Sequence, residues 1–107
     1  MNYNKIYLLA GQRINLADIG TTPFDVPDGY FTMMVDTSVI AITINLPPNP
    51  VKGDLYQIKD SAGNAVTNPI TVSGNGHNIQ GSASYLINTA NYPSALFVYG
   101  GTQWSVL

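Results

Sequence analysis

The sequence contains no cysteine, no glutamate and few charged residues of any kind. Without cysteine the chain forms neither a disulfide framework nor a thiolate metal site, and the redox compartment stays open. Charged residues make up 9% of the chain, against about 25% in an average protein. Four Lys and Arg, six Asp and a net charge of −2 do not supply the clustered cations that nucleic-acid binding requires. Solubility therefore depends on the neutral polar residues, since Asn, Gln, Ser and Thr together number 31.

Long apolar runs are also missing. No run approaches the ~18 residues that would indicate a membrane span. The N-terminal sequence MNYNKIYLLAGQ has too short an apolar block for a signal peptide. We therefore expect synthesis in a cytosol and no membrane association. The protein could still act elsewhere if it leaves the cell as part of an assembled particle.

Helical periodicity is the third absence. No segment carries apolar residues at helical spacing over three turns, and β-branched and aromatic residues dominate the periodic runs. Strand signals recur about every ten residues, the spacing of a sandwich or small barrel. The sequence therefore predicts one all-β domain, a small antiparallel β-sandwich or barrel-like fold. Residues 14–19 and 82–87 also fit a single helical turn.

The strand signals differ in clarity. The clearest alternation predicts four inward side chains, Ile40, Ile42, Ile44 and Leu46. Residues 55–73 read as a strand, a loop and a strand, which predicts a hairpin, and the Asn75-Gly76 pair then favours a tight turn. Residues 95–107 predict a closing hairpin.

Two of the predicted strands are apolar on both faces. These are YFTMMV (30–35) and ALFVY (95–99). A small all-β chain has open sheet edges, and these runs add apolar surface that one copy cannot bury. The pattern favours an oligomer that covers both.

The residues that could carry chemistry are few. His77 is the only histidine, so no pair exists for a zinc site, and a surface-loop position is expected. The six Asp residues mostly lie beside turn residues, where they hydrogen-bond the backbone, although two could meet as glycosidase carboxylates or in a calcium site. The loop 74–79 lacks the third glycine and the helix of a dinucleotide site. We expect no cofactor, no metal and no enzymatic activity.

Three aromatic residues near the C-terminus are candidates for a binding platform. Tyr92, Tyr99 and Trp104 could stack on a host surface glycan. Packing in the core or at a subunit interface is the favoured interpretation of the same residues, because the last hairpin carries little other bulk.

The order of motifs from Tyr30 onward resembles a β-rich module of tailed-phage virion proteins, found in tail fibres, tailspikes and head-decorating proteins. The matching pieces are VDTS before a strand ending in LPP, then YQIKDSAGNA, NPITVSGNGHNIQG, SASYLINT and the closing GGTQW. They cover about three quarters of the chain, residues 30–107. The resemblance implies a homotrimer that serves as a structural or attachment part of a virion, and it carries no catalytic motif.

Residues 1–29 lie outside this resemblance and are predicted to be an N-terminal docking arm. Its apolar run is the candidate contact with the capsid, namely Lys5, Ile6, Tyr7, Leu8 and Leu9. The expected function is a capsid decoration protein or short head fibre, located in the virion and bound to a major capsid or tail protein. The alternative is a tail-fibre or receptor-binding module that recognises a host carbohydrate.

Overall fold

The structure is a computed structural model that describes residues 15–27 and 29–107. Over these ranges the chain forms nine β-strands and no helix, so no described helix is long and apolar enough to cross a membrane. The strands are β1 Leu16–Ile19, β2 Phe24–Asp25, β3 Thr32–Val35, β4 Ile42–Asn45, β5 Leu55–Asp60, β6 Ile70–Ser73, β7 Ser84–Ile87, β8 Ser94–Tyr99 and β9 Trp104–Val106. The all-β prediction is confirmed, and both stretches that also fitted a helical turn contain strands, β1 and β7.

The strands form two mixed sheets. The five-stranded sheet has the order β1-β3-β5-β8-β9, and the four-stranded sheet has the order β2-β4-β6-β7. From β1 to β6 successive strands alternate between the two sheets. Each of the strands β3 to β6 pairs in parallel with the strand two positions earlier in the chain. The antiparallel prediction was therefore wrong for the pairings among these six strands, whereas β5 pairs antiparallel with β8 and β6 pairs antiparallel with β7. Each connection crosses between the layers, so that successive strands cannot pair with one another.

The predicted hairpin over residues 55–73 was wrong for the same reason. Its two strands, β5 and β6, belong to different sheets. Tyr56, Ile58, Ile70 and Val72 are all buried as expected. They contribute to the core from two layers rather than side by side in one sheet.

The closing hairpin is confirmed. Strands β8 and β9 pair antiparallel, with Phe97 opposite Val106 and Tyr99 opposite Trp104. The carbonyl of Trp104 accepts from the backbone NH of Gln80, and its backbone NH donates to the carbonyl of Asn78. The hairpin is therefore fastened to the turn that precedes β7.

The core lies between the two sheets. Its fully buried side chains are mostly aliphatic and aromatic, with Trp104, Tyr56, Phe97 and Met33 the largest. In the alternating run before the LPP motif the last three inward positions are buried as predicted. Ile40 is the exception, because β4 starts two residues later and leaves this side chain 43% exposed in the preceding loop.

Both sheets begin before residue 30. Strand β1 pairs with β3, and β2 pairs with β4. Ile19 and Val26 belong to the hydrophobic core. Residues 15–27 are thus integral to the sandwich, and the docking role of the N-terminal segment stays a prediction.

Candidate functional site

The predicted capsid contact, Lys5 to Leu9, lies outside the described residues. The predicted aromatic platform can be placed. Trp104 is fully buried and Tyr99 is 5% exposed. Their ring centroids lie 5.2 Å apart, and the ring centroid of Tyr56 lies 5.8 Å from that of Trp104. Core packing therefore accounts for both residues, and they offer no face to a glycan.

Tyr92 is the one residue of the three that is exposed, at 53%. Its ring lies against Gly63, where a Cβ atom would come within 2.8 Å of the tyrosine Cζ. The backbone of Tyr92 is left-handed at φ 58°, a conformation uncommon for a bulky residue. Its carbonyl accepts a hydrogen bond from the ammonium of Lys59. These contacts fix the ring at one end of the sandwich, but it stands apart from the two buried aromatic residues.

His77 holds loops together. Its Nε2 lies 3.0 Å from the carbonyl oxygen of Pro48, and its Nδ1 lies 3.3 Å from the hydroxyl of Tyr99. That hydroxyl also lies 3.2 Å from the carbonyl oxygen of Gly101. The histidine is half-buried rather than free on the surface, and it joins three turns at one end of the sandwich.

Asp60 is the most heavily hydrogen-bonded carboxylate in the described ranges. It is fully buried. Its oxygens accept from the Thr37 hydroxyl at 2.7 Å and from the backbone NH groups of Ala62, Gly63 and Ala65 at 2.9–3.1 Å. Burial raises the pKa of this carboxyl, but the four donors outweigh it, and the net pKa lies below its ordinary value of 3.8. The carboxylate is a structural anion that organises the turn after β5.

A shallow groove of about 470 Å³ lies beside β1 and β3 and holds two further carboxylates, Asp18 and Asp36. Hydrogen bonds from the hydroxyl and backbone NH of Ser38 lower the pKa of Asp36. A glycosidase acid needs a raised pKa to hold its proton near neutrality, so Asp36 is a poor general acid. Among the described residues no three His, Asp or Glu side chains lie together as a metal site would require.

The outer face of the five-stranded sheet is the most unusual surface of the molecule. Register and strand alternation place twelve side chains on it, six apolar and six polar. The apolar six are Leu16, Met34, Leu55, Leu96, Val98 and Leu107, and the polar six are Asp18, Thr32, Gln57, Lys59, Ser94 and Ser105. Leu55 lies opposite Val98, and the Leu107 backbone NH donates to the Leu96 carbonyl at 2.8 Å. The last of these side chains is 75% exposed. We call this surface the apolar face.

The outer face of the four-stranded sheet has a different composition. Its outward side chains are mostly short and polar, and they are Asp25, Thr43, Asn45, Thr71, Ser73, Ser84 and Leu86. Thr43 pairs with Thr71, and Asn45 pairs with Ser73. The amide of Asn45 also donates to the Asp25 carboxylate at 2.9 Å. We call this surface the polar face.

The two runs that are apolar on both faces, residues 30–35 and 95–99, predicted part of the apolar face. They predicted outward apolar positions in β3 and β8, and Met34, Leu96 and Val98 lie there, half-buried. Leu16 and Leu107 were missed, because each is a single apolar residue at the end of a short segment. Their positions follow from the pairing of β1 and β9 with their neighbours.

The motif pieces on which the resemblance to phage modules was based meet in space. The VDTS and KDSAGNA turns join through Thr37, which donates to Asp60 and accepts from the backbone NH of Asn64 at 3.0 Å. LPP meets SGNGH where the Asn75 amide donates to the Leu46 carbonyl at 3.0 Å. These motifs therefore hold neighbouring turns of the fold together.

Comparison with known proteins adds no relative: no protein-family model matches the chain, and no curated protein is significantly similar to it.

Proposed function

We propose that this protein is a structural component of a bacteriophage virion that assembles as a homotrimer and binds the shell as a capsid decoration protein or short head fibre. The observation that carries the proposal is the apolar face. A single copy leaves six apolar side chains, interspersed with six polar ones, on the outside of one sheet, while the opposite sheet carries one apolar side chain, Leu86, among Thr, Ser, Asn and Asp. One-sided apolar surfaces of this kind mark association sites.

The apolar face occupies one broad side of the molecule. The described residues extend over 36 × 36 Å in the two long directions and 21 Å in the short one, which fits two stacked layers. Asp60, the most heavily hydrogen-bonded carboxylate among the described residues, is buried and holds turns together, so it is not available to a substrate.

The carbohydrate alternative has less support. Of its three aromatic residues only Tyr92 is exposed, and Tyr99 and Trp104 are part of the core. Sugar recognition by stacking usually combines an exposed ring with polar side chains arranged around a shallow pocket. We therefore keep the structural role as the conclusion.

The first experiment is the mass of the full-length protein in solution. Sedimentation equilibrium at micromolar concentration should give three times the chain mass of 11.5 kDa. A monomer at all concentrations would remove the homotrimer. Circular dichroism of the same sample establishes that the chain is folded.

The second experiment locates the protein on particles. Virions purified from cells that produce the protein should contain it, and gold-labelled antibody should mark the head surface in electron micrographs. Label at the tail tip would favour the receptor-binding alternative. Particles free of the protein would overturn a virion role altogether.

The third experiment tests the docking arm. Because β1 begins at Leu16 and belongs to the core, the deletion should stop at residue 14. The shortened protein should remain folded and oligomeric and lose binding to shells. Normal decoration by the shortened protein would show that the contact lies elsewhere.

A further inference from the structure

The apolar face carries two opposite charges in one row of side chains. In the register of the five-stranded sheet, Asp18 lies opposite Met34, and Met34 lies opposite Lys59. The acid is thus on the edge strand β1 and the amine on the central strand β5. Two strand spacings separate them, about 10 Å.

The lysine ammonium is directed away from the acid. It donates to the carbonyl of Tyr92 and lies 6.0 Å from the centre of that ring, on the side of the sheet where β8 begins. The Asp18 side chain is exposed at the opposite edge and lines the groove shared with Asp36. The face therefore has an acidic edge and a basic side.

The apolar residues are divided in the same way. Leu16 and Met34 lie on the acidic side, and Leu96 and Leu107 lie on the basic side. In a closed ring each copy offers one half of a surface to the preceding copy and the other half to the next, so the two halves must be complementary. Opposite charges and matching apolar groups meet this condition.

We propose that the apolar face is the contact between copies of this chain, with Asp18 on β1 of one copy against Lys59 on β5 of the next. This inference rests on the proposed homotrimer and names its interface. Three equivalent ion pairs would form around the ring. They fix the register of the contact, while the apolar side chains supply most of its affinity.

Charge reversal tests the pairing in the full-length protein. Each single variant, Asp18→Lys or Lys59→Asp, places like charges together at the three contacts of the trimer. Because like-charge contacts cost more than about 1.4 kcal/mol, each variant should raise the dissociation constant of the trimer by roughly tenfold or more. The double variant restores opposite charges and should return the constant to within roughly threefold of the unaltered protein. Both single effects should grow at low ionic strength.

Asp25→Lys is the matched control. It makes the same substitution at an exposed aspartate, but on the polar face. It should leave the dissociation constant unchanged. Thermal unfolding monitored by circular dichroism checks that every variant is folded.

Cross-linking of the unaltered protein gives a second readout that needs no variant. A carbodiimide joins a carboxylate to an amine only when they touch, and mass spectrometry of a mixture of ¹⁴N and ¹⁵N protein separates links between copies from links within one. We expect an Asp18–Lys59 link between copies.

The outcomes separate the two proposals. A monomeric protein would contradict the proposed function. A trimer that both single variants leave intact, with no Asp18–Lys59 link, would overturn this interface while the homotrimer stands. Weakened single variants without recovery in the double variant would show that these two residues do not pair.

Discussion

The two sheets bury similar aliphatic side chains on their inner faces and present opposite surfaces on their outer faces. In β4 and β6 the inward Ile44 and Val72 alternate with outward Asn45 and Thr71. In β8 the inward Phe97 alternates with other apolar residues. A sheet with one wet face shows the first pattern, and a sheet covered on both sides shows the second. The proposed homotrimer would account for this difference, because assembly would cover the apolar face and leave the polar face in water.

The largest expected effect comes from placing a charge on each face in turn. Leu96→Asp puts a carboxylate among the apolar side chains of β8 on the apolar face and should raise the dissociation constant of the oligomer by about 100-fold or more, because an unpaired charge would be buried on assembly. Thr71→Asp makes the matching change at the polar face and should leave assembly unaltered. Sedimentation equilibrium measures both. Equal effects, or none, would mean that the outer faces do not differ in function.

The next effect concerns the turn that keeps the sheets in position. Asp60→Asn should lower the free energy of unfolding by about 2–3 kcal/mol, since an amide nitrogen would face at least one of the four donors now bound by the carboxylate. Urea denaturation at pH 7 provides the measurement. Asp36→Asn is the control in the neighbouring turn, where the carboxylate is exposed and the loss should be clearly smaller. A similar loss of unfolding free energy in both variants would contradict the structural role of Asp60.

The contrast between the outer faces shows what the sequence could and could not predict. Period-two patterns place a residue on the inner or outer side of its own strand, and this was sufficient for Ile42, Ile44 and Leu46 and for the outward Leu96 and Val98. The pattern does not reveal which strand lies beside which. Parallel pairing of β1, β3 and β5 depends on connections that cross between layers.

The candidate interface was only partly predictable for the same reason. The row from Asp18 through Met34 to Lys59 joins residues on three strands that are far apart in sequence. No local spacing signals it. For the aromatic residues near the C-terminus the sequence left core packing and a glycan platform open, and alternation in the last hairpin points Tyr99 and Trp104 into the core.

Acid should weaken the five-stranded side of the molecule. The hydrogen bonds from Thr37 and three backbone NH groups hold the folded pKa of Asp60 below its unfolded value, so its stabilising contribution is complete above about pH 4 and is lost as the pH falls through the folded pKa. The free energy of unfolding should therefore drop more steeply below pH 4 in the unaltered protein than in Asp60→Asn. Urea denaturation at pH 7, 4 and 3 provides the comparison. Parallel curves would show that another group causes the acid loss.

The smallest expected effect comes from making the polar face resemble the apolar one. Thr43 and Thr71 lie opposite each other, and valine has nearly the same shape and a similar preference for strands. The double change to valine should alter the free energy of unfolding by no more than about 0.5 kcal/mol. It removes two hydroxyl groups from the outside of a sheet that already ends in the exposed Leu86. Sedimentation velocity should then detect species larger than the trimer at high protein and salt concentration, and the double change to serine should not produce them. If the valine variant also stays trimeric, apolar composition alone does not select the contact face, and the charged row of Asp18 and Lys59 must contribute to that choice.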